Sequence, residues 1–241
     1  MSAKLVLVSG GSRGLGQALC AAYIALGYEV IEFSRTAPHE YSVGADLSDP
    51  LDAARIFEDT MRPLAARQWD EIVVIHNAGV LNPIGAVANK LTSHVLANIN
   101  VNITSAMLFL REAMRQFQAH DCRKTLVNIS SGAALKGYAG WSLYCAGKAA
   151  LENFVHAVAL EQTQEPSFFI ALNVDPGVMD TDMQATIRKS SSDDFPEVER
   201  FIQRKLLGNL RTAKDVAAAV VRIVASQSAS GSRVDAAEFL V

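Results

Sequence analysis

Short apolar runs alternate with longer segments of helical period along this chain. The runs are rich in β-branched residues and predict strands; the run at 72–76 is apolar at nearly every position, as expected of a strand covered on both faces. The predicted strands are 5–9, 29–34, 72–76, 125–130 and 168–174, and the predicted helices are 15–26, 51–66, 93–118 and 143–162.

This alternation predicts an α/β fold: a single-domain Rossmann-type, doubly wound parallel sheet with helices on both faces, spanning 1–241. In such sheets a ligand binds at the carboxyl ends of the strands. The polar segment 186–205 departs from the alternation and is too polar for core. It is either a surface insertion or a mobile lid over a substrate, and its position after the last predicted strand favours the lid.

Composition excludes several classes of protein. Among 241 residues there are 22 Lys and Arg against 25 Asp and Glu, a net charge of −3, which argues against a nucleic-acid partner. Cys20, Cys122 and Cys145 are too widely spaced for a thiolate metal site or a disulfide framework, and the five histidines have no metal-binding spacing. With no run of about 20 apolar residues and no signal-peptide core, we expect a cytoplasmic protein with no metal and no membrane partner.

A glycine-rich loop follows the first predicted strand and opens directly into a helix. It reads Gly10-x3-Gly14-x-Gly16, with Ser12 and Arg13 between the first two of these glycines. Glycines allow a sharp turn and close approach of a pyrophosphate, and the helix N-terminus adds free N–H groups and partial positive charge. Such a loop alone also fits an ordinary tight turn, but the flanking strand and helix favour a nucleotide site.

The end of the second predicted strand bears on which nucleotide binds. A carboxylate there usually holds the unphosphorylated ribose, whereas this chain has Ser34-Arg35. Arg35 together with Arg13 can clamp a 2′-phosphate, which favours NADP(H) over NAD(H); the alternative is two solvated arginines. Glu32 lies within the strand and is expected to point elsewhere.

Two further segments fall at the same predicted sheet edge. Asp46-Leu47 follows a short extended stretch and is a candidate to bracket the adenine. Asn77-Ala78-Gly79 follows the third predicted strand, where small residues let a cofactor lie against the backbone. Taken separately, each also fits an ordinary turn.

Tyr144 and Lys148 are four residues apart on a predicted helix, so the phenol and the ammonium share one face. The cation and an oxidised nicotinamide together are expected to lower the phenol pKa from about 10, so that Tyr144 transfers a proton to or from a carbonyl oxygen. Ser131, just after the fourth of the long strands, is placed to hydrogen-bond the same oxygen. A Tyr-x3-Lys pair alone is usually a helix surface pair.

These motifs together resemble the short-chain dehydrogenase/reductase family over essentially the whole length. The resemblance implies that Tyr144 is the acid/base, that Ser131 polarises the substrate carbonyl, and that Lys148 binds the nicotinamide ribose and lowers the tyrosine pKa. It implies that Asn102 holds a water linking Lys148 to solvent. His76 stands where the family more often has Asn. The implied cofactor contacts are Gly10, Ser12, Arg13, Gly14, Leu15, Gly16, Ser34, Arg35, Asp46, Leu47, Asn77, Ala78, Gly79, Tyr144, Lys148, Pro176, Gly177, Val178 and Thr181.

Within that family the segments 140–150, 180–184 and 230–235 are similar to the sepiapterin reductase group. That similarity implies that Asp235 anchors a pterin through its amino-pyrimidine edge; the alternative is a solvated residue. Trp141 and Met183, with Leu135, Tyr138 and Met179, are candidates to line a flat apolar pocket, or else belong to core or interface. Bacterial and fungal relatives of this type reduce aromatic diketones, so a pterin and a diketone both remain candidate substrates.

The sequence therefore predicts an NADPH-dependent carbonyl reductase acting on a small aromatic or heterocyclic dicarbonyl. The alternatives are a hydroxysteroid- or acyl-type alcohol dehydrogenase and a catalytically silent NADP(H) sensor, and the presence of all four catalytic residue types argues against the sensor. Helices 93–118 and 143–162 are apolar on more than one face. The family resemblance implies that they pair with a second subunit in a homodimer or homotetramer.

Overall fold

Parallel strands form one sheet in the computed structural model, which describes residues 3–226 and 228–240. The strands in these ranges are β1 (Lys4–Ser9), β2 (Glu29–Ser34), β3 (Ser42–Gly44), β4 (Glu71–His76), β5 (Arg123–Ile129), β6 (Phe169–Asp175) and β7 (Arg233–Asp235). Their order in the sheet is β3-β2-β1-β4-β5-β6-β7, so successive strands are added on one side as far as β3 and on the other side from β4 onward. This switch, between β1 and β4, creates a crevice at the carboxyl ends of these two strands.

Helices cover both faces of the sheet because its strands are apolar on both sides. The helices are α1 (Gly14–Ala25), α2 (Pro50–Ala65), α3 (Thr92–Ile99), α4 (Ser105–Phe117), α5 (Ser142–Gln162), α6 (Asp182–Arg188), α7 (Val198–Leu206) and α8 (Ala213–Ala225). In β1, Leu5 and Leu7 join the core under α2, α4 and α5, whereas Val6 and Val8 join the core under α1 and α8.

The predicted Rossmann-type fold is confirmed, with differences at its edges. The helices α6, α7 and α8 and the short edge strand β7 are not predicted from the sequence, and β3 is anticipated only as a short extended stretch before Asp46. The segment 93–118 is not one regular helix, because a π-helical turn, Asn100–Thr104, separates α3 from α4. Such turns widen the helix locally and are frequent at functional sites.

The expectation that segment 186–205 is too polar for core is wrong. It includes the end of α6 and most of α7, and it buries Ile187, Phe195 and Phe201 in a small separate core. Phe195 stacks on Trp141 with ring centres 4.3 Å apart. The polar residues occupy the outer side, so the sequence average hides an apolar inner face.

In the described residues, no helix combines the length and the apolar character that crossing a bilayer requires.

Candidate active site

The loop between β1 and α1 can be built only with glycine at its critical positions. Gly10 has φ +74°, and a Cβ there would lie 2.8 Å from Cα of Ala78. A Cβ on Gly16 would overlap the carbonyl oxygen of Gly10 and lie 2.6 Å from Nδ2 of Asn77. The loop is therefore packed directly on the turn after β4, with its backbone at the mouth of the crevice.

Asn77 and Glu32 hold this loop in place. Asn77 Nδ2 donates to the Gly10 carbonyl at 2.9 Å. Glu32 is fully buried and accepts hydrogen bonds from the Gly11 N–H at 3.0 Å and from the Ser34 and Ser42 hydroxyls. Glu32 thus points beneath the loop, a role that its place in an apolar strand did not reveal.

The two arginines predicted to clamp a phosphate have different surroundings. Arg35 is exposed at the end of β2, and within the described ranges no carboxylate lies within 4.0 Å of its guanidinium. Arg13 instead pairs with Asp182 at 3.1 Å. Because their side chains are 71% and 74% exposed, this pair is weak and Arg13 can exchange it for another anion.

The predicted adenine segment forms a local turn. Asp46 Oδ1 accepts from the Ser48 N–H at 2.9 Å and from its hydroxyl at 2.8 Å. The buried Leu47 accepts from the Ser105 hydroxyl at 2.7 Å through its carbonyl. Both residues follow β3 at the same edge of the sheet as the glycine loop.

Tyr144 and Lys148 lie one turn apart on α5, and both are buried. Lys148 Nζ lies 5.7 Å from the centre of the Tyr144 ring and donates to the Ile129 carbonyl at 2.7 Å. Ser131 follows β5, and its hydroxyl accepts from the Ala133 N–H at 3.1 Å. The end of β5 and the first turns of α5 thus bring the predicted trio together.

Burial changes the proton affinities of this pair in opposite directions. Desolvation raises the pKa of Tyr144 to about 12, with the Ser131 hydroxyl working against the increase and Asp175 adding to it. Burial lowers the pKa of Lys148 to about 8, partly offset by the charges of Glu152 and Asp175. In the protein alone the tyrosine pKa is therefore raised, because desolvation of the phenol outweighs the other influences on it. The expected fall, which depends also on an oxidised nicotinamide, stays a prediction for the complex.

Asn102 lies in the π-helical turn, with its side chain buried behind the catalytic pair. Its Oδ1 accepts from the Val80 N–H at 2.9 Å, and its Nδ2 donates to the Val80 carbonyl at 2.8 Å and to Asn98 at 2.9 Å. A Cβ on Gly79 would lie 3.5 Å from Asn102 Oδ1 and 3.8 Å from Lys148 Nζ. Gly79 thus leaves space beside both groups.

A cavity of about 270 Å³ opens in front of Tyr144. Its wall contains Ser131, Tyr144, Trp141, Met183, Pro176, Gly177, Val178 and Thr181. A Cβ on Gly14 would lie 3.7 Å from Cγ2 of Thr181, so the glycine loop and this cavity adjoin. Trp141 both lines the cavity and belongs to the packed core, since only 5% of it is exposed.

Asp235 is not among the residues that line this cavity, but it lies next to them. Its carboxylate accepts from the Ala237 N–H at 2.8 Å, which caps the short 3-10 helix after β7. It also lies 3.7 Å from the Arg211 guanidinium, which donates to the carbonyl of Pro176, a residue of the cavity wall, at 3.3 Å. In the sheet Asp235 pairs with Asp175, which also lines the cavity. Anchoring of a substrate by Asp235 therefore stays a prediction.

A charged network missed by sequence reasoning lies behind the catalytic pair. Arg233 of β7 pairs with Asp175 at 2.6 Å and with Glu152, which also accepts from the Ser130 hydroxyl. It joins the last strand of the sheet to β6, α5 and the end of β5. The described residues contain no cluster of three or more His, Cys, Asp or Glu suited to a metal.

This chain is similar to known proteins in both sequence and fold. The family model for short chain dehydrogenase matches residues 4–192. Benzil reductase ((S)-benzoin forming) of Bacillus subtilis (strain 168) is 33% identical over 98% of this chain and 100% of its own length. Sepiapterin reductase of Mus musculus is 33% identical over 66% of this chain and 60% of its own.

Among solved structures, KRED1-Pglu superposes with a TM-score of 0.80 at 29% identity, covering 96% of this chain and 100% of its own. The resemblance inferred from the motifs is thereby confirmed, including the similarity to sepiapterin reductases. The chain is an oxidoreductase and belongs to the short-chain dehydrogenase/reductase family.

Proposed function

We propose that this protein is an NADPH-dependent reductase of small aromatic or heterocyclic dicarbonyl compounds. The observation that carries the proposal is the cavity beside Tyr144: it is walled by aromatic side chains and places the Ser131 and Tyr144 side chains on one wall. An aromatic ketone fits such a wall, and its carbonyl oxygen needs the polar groups found there.

The cleft fits a phosphorylated dinucleotide. The glycine loop presents bare backbone at Gly10, Gly14 and Gly16, and a Cβ at Gly16 would clash within the loop. Arg35 offers an exposed guanidinium at the end of β2, where NAD-binding chains usually carry a carboxylate. The Ser34 hydroxyl already donates its hydrogen bond to Glu32, so Arg35 is the principal candidate to bind a 2′-phosphate. When bound, NADPH supplies the hydride.

Tyr144 serves as the acid in the reductive direction. With a pKa of about 12 the phenol stays protonated at neutral pH and holds the proton that the carbonyl oxygen must receive. Ser131 donates a second hydrogen bond to that oxygen, which polarises the carbonyl and fixes its orientation. Both groups act on one atom of the substrate.

Lys148 and Asn102 support this proton transfer. With a pKa of about 8, Lys148 is mostly cationic at pH 7, and its ammonium binds the nicotinamide ribose. Asn102, whose side chain is fixed to Val80, holds a water in the space left by Gly79. Through that water, Lys148 draws on solvent to restore the tyrosine proton after turnover.

A diketone is the favoured substrate over a pterin. The benzil reductase of Bacillus subtilis aligns over its full length, whereas the mouse sepiapterin reductase aligns over 60% of its own. Asp235, which the sequence similarity predicts to anchor a pterin, is not among the residues that line the cavity. Segment 186–205 supplies Ile187, Arg200, Phe201 and Arg204 to that wall, which supports its role as a substrate lid.

The subunit contact is proposed at α4 and α5. An apolar groove of about 240 Å³ runs between these helices and is lined by Met107, Leu108, Met114, Phe154 and Val158. Arg111 and Glu161 border it with opposite charges, which suits a two-fold contact between identical faces. Light scattering of the purified protein, compared with a Leu108→Glu variant, tests the expected homodimer or homotetramer.

The decisive test of function is NADPH oxidation with benzil, sepiapterin and a steroid ketone compared side by side. We expect benzil to react, and Tyr144→Phe to lower kcat at least about 100-fold while NADPH affinity is kept. Tyr138→Phe is the matched control, since this phenol lines the same cavity without a role in proton transfer. A wild-type protein that oxidises NADPH with neither benzil nor sepiapterin would overturn the proposal, and reaction with the steroid ketone alone would favour a hydroxysteroid-type alcohol dehydrogenase.

A further inference from the structure

The part of the cavity wall that α7 forms is positively charged. Arg200 and Arg204 both line it, one turn apart, with Phe201 between them. Arg200 is paired with Glu197 at 2.9 Å. Arg204 is not paired: within the described part of the chain, no carboxylate lies within 4.0 Å of its guanidinium, which instead lies 5.7 Å from the Phe201 ring centre. A partly buried guanidinium beside an apolar cavity is a site for an anion.

Aromatic side chains connect this guanidinium to the catalytic phenol. Tyr144 lies 6.1 Å from Trp141, and Trp141 lies 5.3 Å from Phe201, measured between ring centres. Phe201 in turn carries Arg204 over its ring. These three aromatic residues and Arg204 all line the same cavity, so an apolar path runs along its wall from the catalytic phenol to the positive charge.

The acidic groups nearby are neutralised by other partners. Asp180 pairs with Lys205 and lies 3.8 Å from Arg188. Asp175, which also lines the cavity, pairs with Arg233 and accepts from the Gly177 N–H. Neither carboxylate is paired with the Arg204 guanidinium, so its charge is left for a ligand.

Resting on the proposed function, we infer that Arg204, assisted by Arg200, forms a subsite for an anionic group. The preferred substrate is an aromatic dicarbonyl compound with a carboxylate on the ring end remote from the reacting carbonyl. Among aromatic dicarbonyl compounds this favours those with a carboxylate over neutral diketones, because an uncharged ring would leave the Arg204 guanidinium without an anionic partner.

The experiment compares 4-carboxybenzil with its methyl ester, which has nearly the same shape and no charge. We expect kcat/KM for the acid to exceed that for the ester by about tenfold at low salt, as one partly exposed charge-assisted hydrogen bond allows. Arg204→Gln should remove this preference, and Arg204→Lys should keep part of it. Arg62→Gln, an exposed arginine on α2, makes the same charge change outside the cavity and should alter nothing.

An equal preference for the acid in wild type and Arg204→Gln would overturn the inference. So would a weaker affinity of Arg204→Gln for NADPH with equal losses for both substrates, because Arg204 would then serve the cofactor. If neither compound is reduced, the proposed function fails, and calorimetric titration of the Tyr144→Phe protein with NADPH bound still decides the subsite. Tighter binding of acid than ester, lost on adding Arg204→Gln, supports it; equal binding refutes it.

Discussion

His76 makes the stability of this protein sensitive to acid. The side chain is fully buried at the end of β4, where Nδ1 shares a hydrogen bond of 2.8 Å with the Ser9 hydroxyl. Its Nε2 has no hydrogen-bond partner among the described residues. Burial, assisted by the charge of Lys148, lowers the pKa of His76 from 6.5 to about 3.

The sign of the effect follows from the two pKa values. Between pH 6.5 and about 3 the unfolded chain binds a proton at His76 that the folded chain does not, so stability falls as the pH falls. At 1.36 kcal/mol per unit, lowering the pH from 7 to 4.5 costs roughly 2.5 kcal/mol. His76→Asn removes the titrating group and places an amide beside Ser9.

The assay is equilibrium urea unfolding at pH 7 and pH 4.5, at one protein concentration. The smaller side chain changes stability at both pH values, so the informative quantity is how the difference from wild type changes with pH. We expect that difference to move in favour of the variant by roughly 2.5 kcal/mol on acidification. His94→Asn, at an exposed position on α3, should show little change. An acid dependence unaltered by His76→Asn would refute this reasoning.

Three further changes test the cofactor cleft and its surroundings. Arg35→Ala should weaken NADPH binding at least about tenfold and leave NADH nearly unchanged, because only NADPH carries the phosphate; equal losses in fluorescence titrations would contradict the clamp. Lys148→Met should relieve the burial of an ammonium whose pKa is lowered from 10.5 to about 8. Between pH 8 and 10.5 the unfolded wild type holds a proton on Lys148 that the folded wild type has lost, so wild type gains stability as the pH rises and the variant does not. The free energy of unfolding of the variant minus that of wild type, measured in urea, should therefore fall by roughly 3 kcal/mol over this range. Asp235→Ala should destabilise the fold by about 1 kcal/mol through its lost cap and leave KM unchanged for both benzil and sepiapterin, whereas a KM raised for sepiapterin alone would return Asp235 to the pterin.

The parts of the molecule that the sequence predicts are those governed by short-range pattern. The alternation of apolar runs predicts the sheet because strands buried on both faces must be apolar throughout. Tyr144 and Lys148 share a face by helical spacing alone. The glycine loop is recognised because its backbone tolerates no side chain at Gly16.

The remaining features depend on contacts between distant residues. Phe195 is a single aromatic in a polar run, and only its stacking on Trp141, more than fifty positions earlier, reveals an apolar inner face. Glu32 looks misplaced in its strand until the Gly11 N–H is brought to it. The raised tyrosine pKa of the protein alone is not foreseen for the same reason: the sequence shows the neighbouring cation but not the depth of burial.

The network around Arg233 makes an edge strand part of the electrostatics of the catalytic pair. Arg233 of β7 balances the carboxylates of Asp175 and Glu152, and both of these charges act on the Lys148 ammonium. Because β7 is paired with β6 on one side only, its detachment would withdraw Arg233 and leave both carboxylates to act on Lys148. The proton affinity of the catalytic lysine is therefore coupled to how firmly the outermost strand stays docked.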